Sequence, residues 1–241
     1  MSQEKRLDRF EKLVSNTPSN FIQKLNEYKK SKTIKMSNTE KQLPNNISFH
    51  EAKADSLREV INDFVPALLE IKLQNGGNNA YLYARNFADK IIAKSEIAKK
   101  TSCSSSCSFC CHDTIYVSHD EGEHIKTVIK AKGIVPNATR LTRQKHMNPN
   151  IKWVDKACPL LSEENEKGER LCSIYEDRPM ICRTHNSTED PKNCDKSVNP
   201  NKTVGELKIV LLEGVVMSSM IAGNKTGAKE QDCLIALHNI L

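Results

Sequence analysis

Residues 103–112 read CSSSCSFCCH, placing Cys103, Cys107, Cys110, Cys111 and His112 within ten positions. Thiolates two to four residues apart can be aimed at one ion by a single loop or helical turn, a pattern that zinc and iron–sulfur sites share. Cysteine also serves as a small buried hydrophobe. The residues between these thiols are serines and one phenylalanine, which make no core face, so metal ligation is the better reading. Adjacent side chains point oppositely in a strand and diverge by about 100° in a helix. Cys110 and Cys111 therefore more readily serve two metal atoms than one, within one multinuclear cluster or two neighbouring sites.

The chain has nine cysteines, the other five being Cys158, Cys172, Cys182, Cys194 and Cys233. Four thiols in the loop and four further on suit two tetrahedral zinc ions, two four-cysteine clusters, or one cluster with thiols to spare. The stretch LCSIYEDRPMICRTH (171–185) sets Cys172 and Cys182 around Tyr175, Arg178 and Pro179. Proline suits the first turn of a helix, which puts Cys182 about one turn in. Arg178 and Arg183 are candidates to offset the negative charge that thiolates place around a metal. Cys233 precedes Leu234 on an amphipathic pattern and reads as a buried structural cysteine. His112 and His185 are secondary ligand candidates, whereas His50, His119, His124, His146 and His238 have no argued role.

Three motifs in order, C-x3-C-x2-C-C at 103–111, CPLL at 158–161 and C-x-I-Y-x-x-R-P-x-x-C-R at 172–183, resemble the YkgJ-type cysteine-cluster family of zinc- or iron-chelating, eight-cysteine domains. The resemblance implies ligand roles for Cys103, Cys107, Cys110, Cys111, Cys158, Cys172 and Cys182. It makes Cys194, whose flanks match least well, the eighth. The implied cofactor is an iron–sulfur cluster such as 4Fe-4S, or zinc. A related domain in flagellin lysine N-methylases also admits a methyltransferase or redox role. The likeness covers roughly residues 103–194, and residues 1–100 resemble no family we recognise.

The elements that must position these thiols read as helices. Leu7, Phe10, Leu13 and Val14, then Phe21, Ile22, Leu25 and Tyr28, recur at helical spacing, and residues 31–47 are polar and aperiodic, a linker. Ser48 and Glu51 form a capping box ahead of Leu57, Val60, Ile61, Phe64, Leu68 and Ile71, with Pro66 expected to kink or split that helix. NGGN at 75–78 ends it, and Ala84, Phe87, Ala88, Ile91 and Ile92 mark the next helix. TIYVS (114–118) reads as a short strand, and Ser118 with Glu121 caps a helix that stops at Gly133. Residues 134–155 look irregular, and 157–175 form a hairpin pattern. Thr203 and Glu206 cap a helix to Ala222 with Gly223 behind it, and Leu234, Leu237 and Leu241 mark a last helix. The fold class is mainly α, with a small irregular cysteine-pinned insert containing a short β-hairpin. The division is 1–47, N-terminal helices and linker, and 48–241, a helical body enclosing the cysteine region at about 103–194.

Composition narrows the function. A chain of 241 residues, 38% hydrophobic and 27% charged, can bury a core. The net charge of +6 lies wholly in residues 1–100, where 18 Lys/Arg face 12 Asp/Glu, an excess too dispersed to mark a nucleic-acid surface by itself. The N-terminus lacks the apolar segment of a signal peptide and no run of about 18 apolar residues occurs, so a cytoplasmic protein without a membrane partner is expected. An odd number of cysteines in a reducing compartment argues against a disulfide framework. Two readings follow. One is an iron–sulfur protein with a redox or modifying activity. The other is a structural-zinc protein acting through a protein partner. Nucleic-acid binding would need the stretch 138–153, with Arg140, Arg143, Lys145, Lys152 and the single tryptophan. CSSSCSFC also carries the C-x3-C-x2-C spacing of radical enzymes, but their barrels need about 200 residues or more. No Gly-rich phosphate or S-adenosylmethionine signature and no catalytic residue is identifiable.

Overall fold

The structure is a computed structural model that describes residues 45–95, 97–145, 152–200, 204, 209–224 and 234–241. The amphipathic patterns at 7–28, the Thr203–Glu206 capping box and Cys233 lie outside the described residues. The described chain is mainly helical. In order it runs α1 (Asn45–Asn75), α2 (Gly77–Lys94), α3 (Ile97–Lys100), β1 (Tyr116–Val117), α4 (His119–Lys132), α5 (Ala138–Lys145), α6 (Met180–Thr184), α7 (Val210–Ala222), β2 (Ile235–Ala236) and α8 (Leu237–Ile240). Short 3-10 turns at Phe109–His112, Trp153–Lys156, Tyr175–Asp177 and Pro191–Cys194 carry or flank most of the cysteines. Among the described residues no helix is long and apolar enough to cross a membrane.

The main core lies where α1, α2 and α7 meet. Phe64 and Leu68 of α1, Tyr81, Ala84, Phe87, Ala88 and Ile91 of α2, and Leu212, Val215, Val216 and Ala222 of α7 interlock there, joined by Met180 from α6. Their spacing of three and four along each helix makes one apolar stripe per helix. Phe64 and Phe87 pack with ring centroids 5.1 Å apart. Gly214 lets α7 approach α1 closely, since a Cβ there would sit 2.5 Å from Cγ1 of Val60. Gly214→Ala should therefore push the two helices apart and cost about 1–3 kcal/mol, read as a lower urea midpoint at unchanged slope. An unshifted midpoint would refute that close contact.

A smaller second core of Val117, Ile125, Leu160, Ile174 and Leu237 lies under the cysteine region. Its frame is α4, whose ends obey the sequence closely. The Ser118 hydroxyl accepts the Glu121 N–H at the N-terminus, and Gly133 turns left-handed at φ 61° to close the C-terminus. That conformation is nearly free for glycine. β1 pairs antiparallel with β2, Tyr116 opposite Ala236 and Val117 opposite Ile235.

Several expectations need correction. α1 starts at Asn45, inside the stretch read as linker, and runs unbroken through Pro66. Proline at that position removes one helical N–H, yet Phe64, Ala67 and Leu68 beside it are essentially fully buried, and packing outweighs the local penalty. Residues 138–145, read as irregular, are helical. Arg140 there turns inward, donating to Glu163 at 2.8 and 2.9 Å and to the carbonyl of Leu161. The last apolar segment is not one helix but β2 followed by a single turn. The 157–175 hairpin is reduced to one antiparallel bridge, Leu161 to Cys172, flanked by Ser162 N–H to Leu171 O and Ser173 N–H to Leu160 O.

Candidate metal centre

The four-cysteine loop is fixed at both ends. At its start, Ser102 N–H donates to Ser187 O at 2.7 Å, and the Ser187 N–H points back to Cys103 Sγ at 3.4 Å. The Ser102 hydroxyl also reaches Ser187 O and Glu189 O. At its end, the turn Phe109–His112 is closed by Cys111 N–H to Ser108 O and Asp113 N–H to Cys110 O. His112 is buried, its ring 4.4 Å from that of Trp153 and its Nδ1 3.2 Å from Phe109 O, so it packs rather than facing the thiols.

The remaining thiols are brought to this loop by backbone bonds. Cys158 N–H donates to Cys111 O at 2.7 Å, which joins CPLL to the adjacent pair. The 161–172 bridge carries Cys172 to the same place. The chain then turns through Tyr175–Asp177 into α6, where Pro179 is the N-cap and Cys182 the third helical residue. The N-terminal N–H of α6, from Met180, has no intrahelical acceptor. It donates to the buried carboxylate of Glu121 at 2.6 Å, so α4 fixes the turn that carries Cys182.

Cys103, Cys107, Cys110, Cys111, Cys158, Cys172 and Cys182 line one cavity of about 320 Å³, together with Arg170, Arg178, Arg183, His185 and Asn186. Cys194 is not part of that wall but lies close enough for charge on Cys103 and Cys110 to act on it. All eight thiols are free and only partly exposed. Cys110 and Cys111 both border the cavity and are hydrogen-bonded to each other, which lowers the Cys110 pKa and raises that of Cys111. The 3-10 turn and the closure onto Cys158 bring the neighbouring side chains together.

Burial makes several of these thiols harder to ionise. Burial pushes Cys107 and Cys158 up to about 11 and raises Cys172, Cys182 and Cys194 as well, with neighbouring cysteines adding to the effect. Opposing this, backbone N–H groups two residues downstream point at three sulfurs: Phe109 at Cys107, Leu160 at Cys158 and Ile174 at Cys172. Donors to the charged form favour it, and such bonds around a metal raise its hold on the ligand. Arg178 acts on both Cys110 and Cys172 and stacks 3.9 Å over the Tyr175 ring. Arg183, the other expected partner of the thiolates, also lines the cavity but forms an ion pair with Asp89 at 2.9 Å.

This donor set fits a thiophilic metal or metal cluster. Among the described residues no group of three or more His, Cys, Asp or Glu side chains is drawn close enough to hold an ion as it stands. Ligation requires thiol protons to leave. The cavity adds a second sign of fit. Asn186 lines it, is 8% exposed, and its Nδ2 has no hydrogen-bond partner. Sequence reading missed both Asn186 and the contact of Glu121 with Met180. The capping box marks Glu121 as a helix start and nothing more, and a lone asparagine in THNST carries no spacing signal.

Comparison with known proteins agrees with the chemistry. Residues 102–203 match the family model CxxCxxCC, described as a "Putative zinc- or iron-chelating domain". The matched segment spans all eight candidate thiols and excludes α1, α2 and α7. Neither the curated proteins nor the solved structures gave a match.

Proposed function

We propose that residues 102–203 hold a multinuclear iron–sulfur centre through thiolates drawn from Cys103, Cys107, Cys110, Cys111, Cys158, Cys172, Cys182 and Cys194, on a helical body that presents it for a redox or modifying reaction. The observation that carries this reading is the single cavity of about 320 Å³ bordered by seven thiols. A lone zinc ion with Zn–S distances of about 2.3 Å draws four sulfurs around a point, whereas a cluster needs room for several metal atoms and bridging sulfides. The adjacent pair opening into the same cavity supports this further. Bound there, such a centre would supply electron transfer. The chain's own part is to release the thiol protons, to orient the sulfurs by the downstream N–H groups and to counter their charge with Arg178.

Structural zinc is the second reading, favoured by the small core under the cysteine region, which ligation would reinforce. Anaerobic purification followed by visible absorption, metal analysis and acid-labile sulfide assay separates the two. A brown protein containing iron and sulfide is expected. A colourless one with stoichiometric zinc and no sulfide would establish the alternative. Cys107→Ala should lower metal content in either case, and an unchanged content would remove Cys107 from the ligand set.

A further inference from the structure

Asn186 sits at the junction between the strap that fixes Cys103 and the cavity wall. Its Oδ1 lies 3.4 Å from the Thr101 hydroxyl, and Thr101 in turn accepts the Cys103 N–H at 3.1 Å. The next residue, Ser187, donates its N–H to Cys103 Sγ and accepts the Ser102 N–H at its carbonyl oxygen. With its oxygen facing Thr101, the amide has its NH2 left over. That NH2 is buried without a partner although Asn186 borders the cavity. An unpaired buried amide donor is costly, and such donors are rarely left without a partner in native proteins. Asp113, Ser104, Ser105, Thr114 and Tyr175 also border the cavity, but none of them bonds this donor, so the acceptor that suits it belongs to whatever fills the space. A metal–thiolate centre surrounds itself with electron-rich sulfur, which accepts such bonds.

We propose that Asn186 Nδ2 donates a hydrogen bond to the anionic sulfur shell of the centre held in the cavity, making Asn186 a positioning residue for that centre. The inference rests on the metal-binding reading given above. It assigns Thr101 a supporting part, because its hydroxyl holds the amide oxygen and turns the donor edge the other way. Hydrogen bonds of this kind around a metal set its affinity by about 10–100-fold.

The test uses the full chain, reduced, freed of metal and titrated anaerobically with cobalt(II), whose thiolate charge-transfer absorption reports ligation by sulfur. Asn186→Asp keeps the size and the oxygen that faces Thr101 but replaces the donor with a negative charge. It should weaken cobalt binding by about 10–100-fold while the metal-free chain melts at the wild-type temperature. Thr101→Val should shift binding in the same direction by less. Wild-type affinity in Asn186→Asp, or tighter binding through its new carboxylate, would overturn the proposal. If Asn186→Asp fails to fold, wild-type affinity in Thr101→Val overturns it instead. A wild-type chain that takes up no cobalt gives a different pattern: the metal-binding reading falls first, and this inference with it.

Discussion

Removing the metal from the purified protein is expected to release residues 101–199 from cooperative structure while α1, α2 and α7 stay folded. The two halves of the described chain are held differently. The helical body buries an interlocked stripe from each of three helices, including Phe64, Phe87 and Val215. Among the described residues the cysteine region has a smaller buried core of Val117, Ile125, Leu160, Ile174 and Leu237, edged by partly buried side chains such as Ile115, Val128 and Ile129. Between Thr101 and Asn199 much of the chain is turns and short 3-10 segments, joined by single backbone bonds such as Cys158 N–H to Cys111 O. Fixing each such residue costs about 1–2 kcal/mol of backbone entropy. Structural zinc in small domains contributes an apparent 10–16 kcal/mol or so, which makes ligation the largest stabilising contribution for a region built this way. Hydrogen exchange before and after chelation reads the result. Amides of 101–199 should lose several orders of magnitude of protection, while those of 60–94 and 210–222 should change little. Equal protection before and after, or loss throughout the chain, would show that the second core stands alone or that the two halves melt as one.

The two halves were also legible in the sequence to different degrees. In α2 and α4, periodicity and end signals act within one helix, and Ser118, Glu121 and Gly133 do in the fold what their positions indicate. The resemblance to a cysteine-cluster family, carried by three motifs in order, implies Cys158, Cys172 and Cys182 as partners of the 103–111 loop, and in the structure seven of the eight thiols border one cavity. What the pattern could not convey depends on contacts distant in sequence. Pro66 is tolerated because tertiary packing outweighs a lost helical bond. Arg140 reads as a surface cation until Leu161 and Glu163 fold against it. Arg178 and Arg183, alike on paper, part company because Asp89 on α2 pairs with one of them. Asn186 gains its interest only from the partner that its Nδ2 lacks, and no sequence states that.

The same logic makes Glu121 the most informative single residue for stability, because its surroundings set two pH dependences against each other. Its side chain is buried, accepts the Met180 N–H at 2.6 Å and also receives the Ser118 N–H. Burial pushes its pKa up to about 7 from an ordinary value of 4.5, the N–H donors opposing but not cancelling the effect. A carboxyl whose folded pKa is raised binds more protons in the folded than in the unfolded chain between those two values. Its contribution to stability is therefore greatest below 4.5 and is lost as pH rises through about 7, a change of roughly 3 kcal/mol. Thiolate ligation has the opposite sign, since acid restores the protons that the metal must displace. A plain stability profile of the wild type would mix the two. Glu121→Gln separates them: it keeps an acceptor for Met180, carries no charge, and leaves every thiol in place. The stability difference between the Glu121→Gln variant and the wild type, measured by urea unfolding, should move in favour of the variant by about 3 kcal/mol between roughly pH 4.5 and pH 8. A difference that stays flat across that range would mean the carboxylate is no harder to ionise in the fold than outside it. Glu121→Ala removes the same titration, so its stability relative to wild type should follow the same slope with pH. It also strips the acceptor from the Met180 and Ser118 N–H groups and opens a void, which should hold it about 2–4 kcal/mol below Glu121→Gln at every pH. Because Met180 begins the turn that carries Cys182, the alanine variant should also release its metal to a chelator faster, whereas the glutamine variant should hold it as the wild type does.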